Sequence, residues 1–166
     1  MKRGARVTPA EKRDVIADLH HKLVAYWHDV DFNWGRNAAE YYTEDAVFEI
    51  RNGSTPYNGR AEIAAFYAFR HDRGPRVVVH AISNFMCTFE SDTCVQSSWI
   101  CMIYAHDGEP PQVSAPPIAI SRLEDVYVLQ DGDWLIKRRT WNPLFRGGVK
   151  GTHASSEEIA KRLGSA

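Results

Sequence analysis

Tyr26-Trp-His-Asp-Val-Asp31-Phe-Asn-Trp34, then Gly35 to Glu40, then Tyr41-Tyr-Thr-Glu-Asp-Ala-Val-Phe-Glu-Ile50, is the stretch that decides the fold. It carries a long amphipathic helix into a cluster of aromatics and carboxylates. A short second helix over Trp34–Tyr42 follows, and a strand over Ala46–Ile50 begins at once. Upstream, Thr8-Pro9-Ala10-Glu11 starts the first helix: Thr8 caps, Pro9 suits the first helical position, and Glu11 closes a capping box. Val15, Ile16, Leu19, Leu23, Tyr26, Trp27 and Val30 then recur with a helical period. At about 100° per residue, Asp31 falls about a quarter-turn from the middle of that stripe. A carboxylate at this edge of the buried face can look into a pocket. Asp29 lies farther from the stripe and reads as surface, His21 and His28 lie nearly opposite it and read as solvated, and Asp45 reads as shaping the turn into the strand.

Beyond Asn52-Gly53, the turn Tyr57–Arg60 leads into a third helix over Ala61–Phe69, with Ile63, Phe66 and Tyr67 inward. Strands are expected over Arg76–Phe85, near Met86–Glu90, and over Cys94–Tyr104, Ile118–Leu129 and Trp134–Trp141. His106–Pro117 is a loop, Gln130–Asp133 a hairpin turn, and Asn142–Ala154 irregular. Three helices followed by a meander of long strands make an α+β fold. The natural packing is a strongly curved antiparallel sheet with the helices against one face, enclosing a cavity. One domain over 1–166 is expected, with its core at about 8–146 and an extension over 147–166. A capping box from Ser155 to Glu158 starts a short terminal helix in that extension.

A chain of 166 residues with 44% hydrophobic and 25% charged residues can bury a real core. Its net charge of -1 supplies no global field for nucleic acid or an anionic membrane. No apolar run approaches a membrane span, and the basic start Met1–Arg6 leads into a charged helix, unlike a signal peptide. Cys87, Cys94 and Cys101 are odd in number and spaced by seven, which fits neither a disulfide framework nor a Cys-x-x-Cys metal site. Reduced thiols in the strands of a cytoplasmic protein are expected. His20, His21 and His28 lack the four-residue spacing of helical metal ligands, so no metal is expected, and no cofactor. The basic run from Arg70 to Arg76 reads as a solvated loop, with a phosphate or carboxylate site as the alternative. It has no interleaved stacking aromatics for nucleic acid.

His80 paired with Asp31 is the sharpest chemical reading. An imidazole has the intrinsic pKa to take a proton near neutral pH, and a carboxylate on its other nitrogen fixes the tautomer and raises its basicity. On its strand His80 shares a face with Val78 and Ile82, so its ring points into apolar surroundings that exclude water. The plainer alternative is a core histidine bonded to a helix-terminal aspartate for structure alone. Tyr26, Tyr41, Tyr42 and Tyr67 could each offer a phenol to a substrate carbonyl. Tyr26, on the inward stripe, is the choice. Trp27, Trp34, Tyr42, Phe48, Phe66 and Ile82 are expected around the substrate, with Arg138. Trp99 shares a strand face with Val95, Cys101 and Ile103, and either face of that strand could line the cavity.

Three local patterns carry a resemblance. The first is Tyr26-x4-Asp31, then Trp34 and Tyr42-Thr43-Glu44-Asp45-Ala46-Val47-Phe48. The second is Tyr57-x-Gly59-Arg60-x-Glu62-Ile63, followed by an extended segment with His80. The third is Asp125-x-Tyr127, then Asp131-Gly132-Asp133-Trp134-x-Ile136-x-Arg138. Over about 8–146 the chain resembles the SnoaL-like family of the nuclear-transport-factor-2-like (NTF2-like) superfamily. The resemblance implies the NTF2-like cone, a mixed or antiparallel sheet around an apolar pocket. It also implies a homodimer or homotrimer. Asp31 and His80 fall where scytalone dehydratase, a bile-acid dehydratase and the lindane dehydrochlorinase place an Asp–His pair, and Tyr26 resembles the bile-acid dehydratase tyrosine. There are departures. Ser97–Ile103 lacks the second pocket histidine of scytalone dehydratase, the nearest being His106, and Arg138, Arg139 and Arg146 all compete for the C-terminal arginine of several relatives.

Two functions follow as expectations. One is a cofactor-independent lyase or isomerase, like a dehydratase, ketosteroid isomerase or polyketide cyclase, acting on a small hydrophobic cyclic molecule. The other is a small-ligand-binding module or the small subunit of a ring-hydroxylating dioxygenase.

Overall fold

The computed structural model describes residues 8–72 and 74–147. The basic start Met1–Arg6 and the expected terminal helix from Ser155 lie outside them. Helix α1 spans Pro9–Phe32. Its capping box is made as expected, with Glu11 N donating to Thr8 Oγ1 at 3.3 Å and Thr8 N donating to the Glu11 carboxylate at 2.7 Å. The buried residues Leu19, Leu23, Tyr26, Trp27 and Val30 form the stripe facing the sheet.

The second helix expected over Trp34–Tyr42 is instead a single 3-10 turn, Ala38–Tyr41. Trp34 and Gly35 both adopt positive φ, 62° and 69°, which ends α1 and turns the chain sharply. Asp29, expected at the surface, is buried and organises this turn. Its carboxylate accepts Asn33 Nδ2 at 2.7 Å, Asn37 N at 3.0 Å and Asn37 Nδ2 at 2.9 Å. Its displacement from the apolar stripe reflects polar partners supplied by the following loop, which the helical period alone does not contain.

Strand β1, Tyr42–Ile50, begins four residues before the expected start. A two-residue strand β2, Tyr57–Asn58, precedes helix α2, Gly59–His71. Four long strands complete the sheet: β3 Arg76–Ser91, β4 Cys94–Asp107, β5 Ala119–Gln130 and β6 Asp133–Arg146. The order is β2-β1-β6-β5-β4-β3, so the sheet is unclosed. Among the described residues, only the β1–β6 pairing is parallel. The helices lie on the concave side.

The two strands expected over Arg76–Glu90 are one. A bulge between Ser83 and Met86, with Asn84 at φ 56°, lets β3 continue while reversing which residues face in. β6 runs to Arg146 through residues expected to be irregular, and it too is bulged. Tyr127 pairs with Ile136 but Val126 with Arg138, so Lys137 is an extra residue. Trp134 and Ile136 face the core before the bulge, and Arg139 and Trp141 after it. A period of two carried past Ile136 would put Arg138 inward; the bulge turns it out, where it lies exposed, 3.9 Å from Glu49.

The inner face is built in rungs. Trp99, Leu123 and Trp141 pair in sequence across β4, β5 and β6, as do Ser97, Asp125 and Arg139. The Trp99 face of β4 is therefore the inner one. Arg139 and Asp125 form a fully buried bidentate pair, 2.7 and 2.8 Å, joined by Trp99 Nε1 at 3.0 Å and Tyr127 OH at 3.2 Å. The guanidinium also lies over the Tyr26 ring, 4.4 Å from its centroid.

Candidate functional site

Between the helices and the concave sheet is a cavity of about 340 Å³. Trp27 reaches it from α1, Phe48 and Ile50 from β1, and Phe66, Tyr67 and Arg70 from α2. His80 enters from β3, Ile103 from β4, Ser121 from β5, and Trp141 and Arg146 from β6. Asn52 and Arg146, both exposed residues, place part of the wall at the protein surface.

His80 and Asp31, 49 residues apart, meet where the end of α1 crosses β3. Asp31 Oδ1 lies 2.6 Å from His80 Nδ1, and Oδ2 accepts the His80 backbone N–H at 2.8 Å. Their side chains are 2% and 6% exposed, His80 being the less exposed. The carboxylate thus holds the strand and the ring together, which requires Asp31 on the edge of the helix stripe. Burial, the largest influence, pulls the His80 pKa below its ordinary 6.5; Asp31 opposes this, and Arg70 and Arg76 add to it. The ring is therefore neutral near pH 7, with Nδ1–H donating to Asp31 and Nε2 left with a lone pair. Trp27 stacks on one face of this ring, and Trp141 meets it edge-on.

Tyr26 is fully buried behind the wall and does not line the cavity. Its hydroxyl bonds those of Tyr42, at 3.0 Å, and Tyr67. Tyr67 is the member of this trio in the wall. Burial raises the pKa of Tyr67 and Tyr42 well above 10, so both phenols stay protonated. Of the other expected substrate residues, Trp27, Phe48 and Phe66 line the cavity, while Trp34, Tyr42, Ile82 and Arg138 do not. Trp34, turned by its positive φ, packs edge-on against His71. Tyr42 points to the hydroxyl trio. Ile82 keeps to the His80 face of β3 but packs on the core.

Sequence reasoning did not name Ser121 and Trp141 as site residues, placed Tyr67 behind Tyr26 as the phenol, and read Arg70 as part of a solvated run. Arg70 continues the inward series Ile63, Phe66 and Tyr67 at i+7, a signal present in the helix period. Trp141 faces inward because of the β6 bulge at Lys137, which local alternation does not reveal, whereas Ser121 continues the regular inward series Tyr127, Asp125 and Leu123 of β5. His106 is exposed at the end of β4 and its Nδ1 bonds Asp107 O, away from the cavity wall. Burial pushes the Cys87 thiol up to about 11 and raises Cys101 further, so neither offers a thiolate. Among the described residues, no three His, Cys, Asp or Glu side chains group as metal ligands, and no helix is long and apolar enough to cross a membrane.

The sequence pattern of the SnoaL-like domain matches residues 8–140. The chain belongs to this family. No curated protein matches the chain in sequence. Among solved structures, a proposed scytalone dehydratase from Novosphingobium aromaticivorans is similar at 18% identity and a TM-score of 0.73, over 87% of this chain and 93% of that one. An NTF2-like protein of unknown function from Pseudomonas putida matches at 12% identity and 0.67, over 86% and 94%. A protein from Catenulispora acidiphila in complex with S-DNPA matches at 21% and 0.62, over 78% and 94%. At these identities the likeness is one of fold: this member of the SnoaL-like family has the NTF2-like, cystatin-like architecture.

Proposed function

We propose that the protein is a cofactor-independent lyase or isomerase acting on a small hydrophobic cyclic molecule. The observation that carries this reading is the Asp31–His80 contact, 2.6 Å, which holds the His80 ring in the wall of a cavity also lined by Trp27, Phe48, Phe66 and Trp141. His80 Nε2 takes a carbon-bound proton next to a carbonyl or leaving group, while Asp31 stabilises the imidazolium that forms. Tyr67 donates its phenol to the developing oxyanion, and Tyr26, bonded behind it, acts as a positioning residue. Ring stacking by Trp27 and the burial of both partners keep water from the proton in flight.

The alternative of a binding module or oxygenase small subunit would be favoured by a sealed cavity, or by His80 out of reach of Asp31. The observed contact and the exposed residues in the wall favour neither condition. Solvent deuterium exchange at the α-carbon of a panel of cyclic ketones, followed by NMR, tests the proposal without knowledge of the natural substrate. The wild-type protein should accelerate exchange for at least one ketone. His80→Ala should lose that acceleration by about 10²–10⁴-fold while remaining folded at the assay temperature, as circular dichroism checks. Exchange that is the same in both proteins would remove His80 as the base.

A further inference from the structure

Among the described residues, the cavity wall contains two arginines, Arg70 and Arg146, and no carboxylate. Arg60, Arg138 and Arg139 each lie within 4.0 Å of an acid. Arg70 and Arg146 have no such partner among the described residues; the Arg70 guanidinium lies near the Tyr67 ring, 5.8 Å from its centroid. Guanidiniums match planar anionic oxygens best. A wall that holds two guanidiniums without acid partners, and no acid among the described residues, is complementary to an anionic oxygen group.

Placement separates this charge from the base. His80 pairs with Ile103, Ile103 with Ala119, and Ala119 with Arg146. Arg146 is thus on the same rung as His80, three strand spacings away, about 14 Å along the sheet and less across its curl. Arg70 belongs to α2, one turn past Phe66 and Tyr67. The aromatic wall of Phe48, Phe66 and Trp141 suits rings.

We propose that the cavity selects cyclic compounds bearing a carboxylate, with Arg70 and Arg146 holding the carboxylate while His80 addresses the ring. This deepens the reading of the cavity as a substrate pocket and rests on it.

Isothermal titration calorimetry on the full chain, with 1-naphthaleneacetate, the neutral 1-naphthaleneacetamide and 1-naphthyl phosphate as probes, tests it. The wild-type protein should bind the carboxylate at least about tenfold more tightly than the amide, the effect of one charge-assisted contact. Arg70→Gln/Arg146→Gln should bring the two to parity, with a circular dichroism spectrum and melting temperature close to wild type to show that the variant is folded. An amide bound as tightly as the carboxylate, or a preference that survives the double substitution, overturns the proposal and leaves the pocket reading standing. Phosphate bound more than about tenfold tighter than carboxylate overturns the assignment of the anion. Failure of the wild-type protein to bind any of the three overturns the pocket reading, and this proposal with it.

Discussion

The Trp27 indole lies flat against the His80 imidazole, ring centroids 4.1 Å apart and planes inclined by 23°. The stack shields one face of a ring whose Nδ1 is already committed to Asp31. Solvent is thereby removed from the imidazolium form, the dominant reason the His80 pKa falls below 6.5.

That depression sets a pH dependence. As pH falls, the unfolded chain takes up this proton before the folded one does, so acid favours unfolding. The contribution of neutral His80 is complete above the ordinary pKa of 6.5 and is lost as pH drops through the folded value. The melting-temperature difference between wild type and His80→Gln should therefore shrink as pH falls from about 7 to about 5. Turnover should hold constant above the ordinary histidine range and decline only below it. NMR titration of the His80 ring checks the premise; a midpoint above 6.5 contradicts it.

The hydroxyl trio separates two tyrosines by role. Tyr67 is in the cavity wall and Tyr26 stands behind it. Tyr67→Phe should lower kcat by about 10²-fold, as for loss of one oxyanion donor. Tyr26→Phe should lower kcat only several-fold but cost about 1–3 kcal/mol of stability, because it strips buried hydroxyls of their partner. Steady-state kinetics and urea unfolding measure both effects. A larger kinetic loss in Tyr26→Phe would return the oxyanion role to that residue.

The buried pair beneath the cavity gives a prediction about stability alone. Asp125 and Arg139 are 1% and 0% exposed and joined by two hydrogen bonds. Asp125→Ala leaves a guanidinium in the core without its carboxylate, against the rings of Tyr26 and Trp99, and should cost about 3–5 kcal/mol. Asp125→Leu/Arg139→Met removes both charges and should recover most of that loss. Urea midpoints for the two variants decide it; a single-variant loss below about 1 kcal/mol would mean that solvent or neighbouring groups compensate the charge.

The parts of the site legible in the sequence were those governed by local rules. The Thr8 cap, the α1 stripe and the position of Asp31 at its edge follow from helix geometry, and His80 follows from alternation along one strand. The unread parts come from contacts or phase changes between distant segments. Asp29 looked exposed because its partners lie past the helix: Asn33 caps the helix end, and Asn37 curls back after the left-handed turn at Trp34 and Gly35. Arg138 and Arg139 exchanged places because one extra residue in β6 inverts the pleat. Tyr67 looked like ordinary core, since nothing in its own helix shows that Tyr26 bonds it from behind.

Gly35 ties the α1 turn to the cavity. Its φ is +69°, and a β-carbon there would lie 2.5 Å from Tyr67 Cδ1. The backbone strain of a left-handed non-glycine residue is about 1–2 kcal/mol. The steric conflict adds to it by pushing on a ring already bonded to Tyr26. Gly35→Ala should thus destabilise by about 2–4 kcal/mol in urea unfolding, the sum of backbone strain and overpacking. It should also reduce binding of ring compounds, because Tyr67 must move along the wall. Asn tolerates the left-handed backbone better than Ala but is bulkier. If the steric contact dominates, Gly35→Asn will be at least as destabilised as Gly35→Ala; if backbone strain dominates, Asn will be the milder substitution. The 2.5 Å approach leads us to expect the first result, and recovery of stability by Asn would show that Tyr67 yields easily.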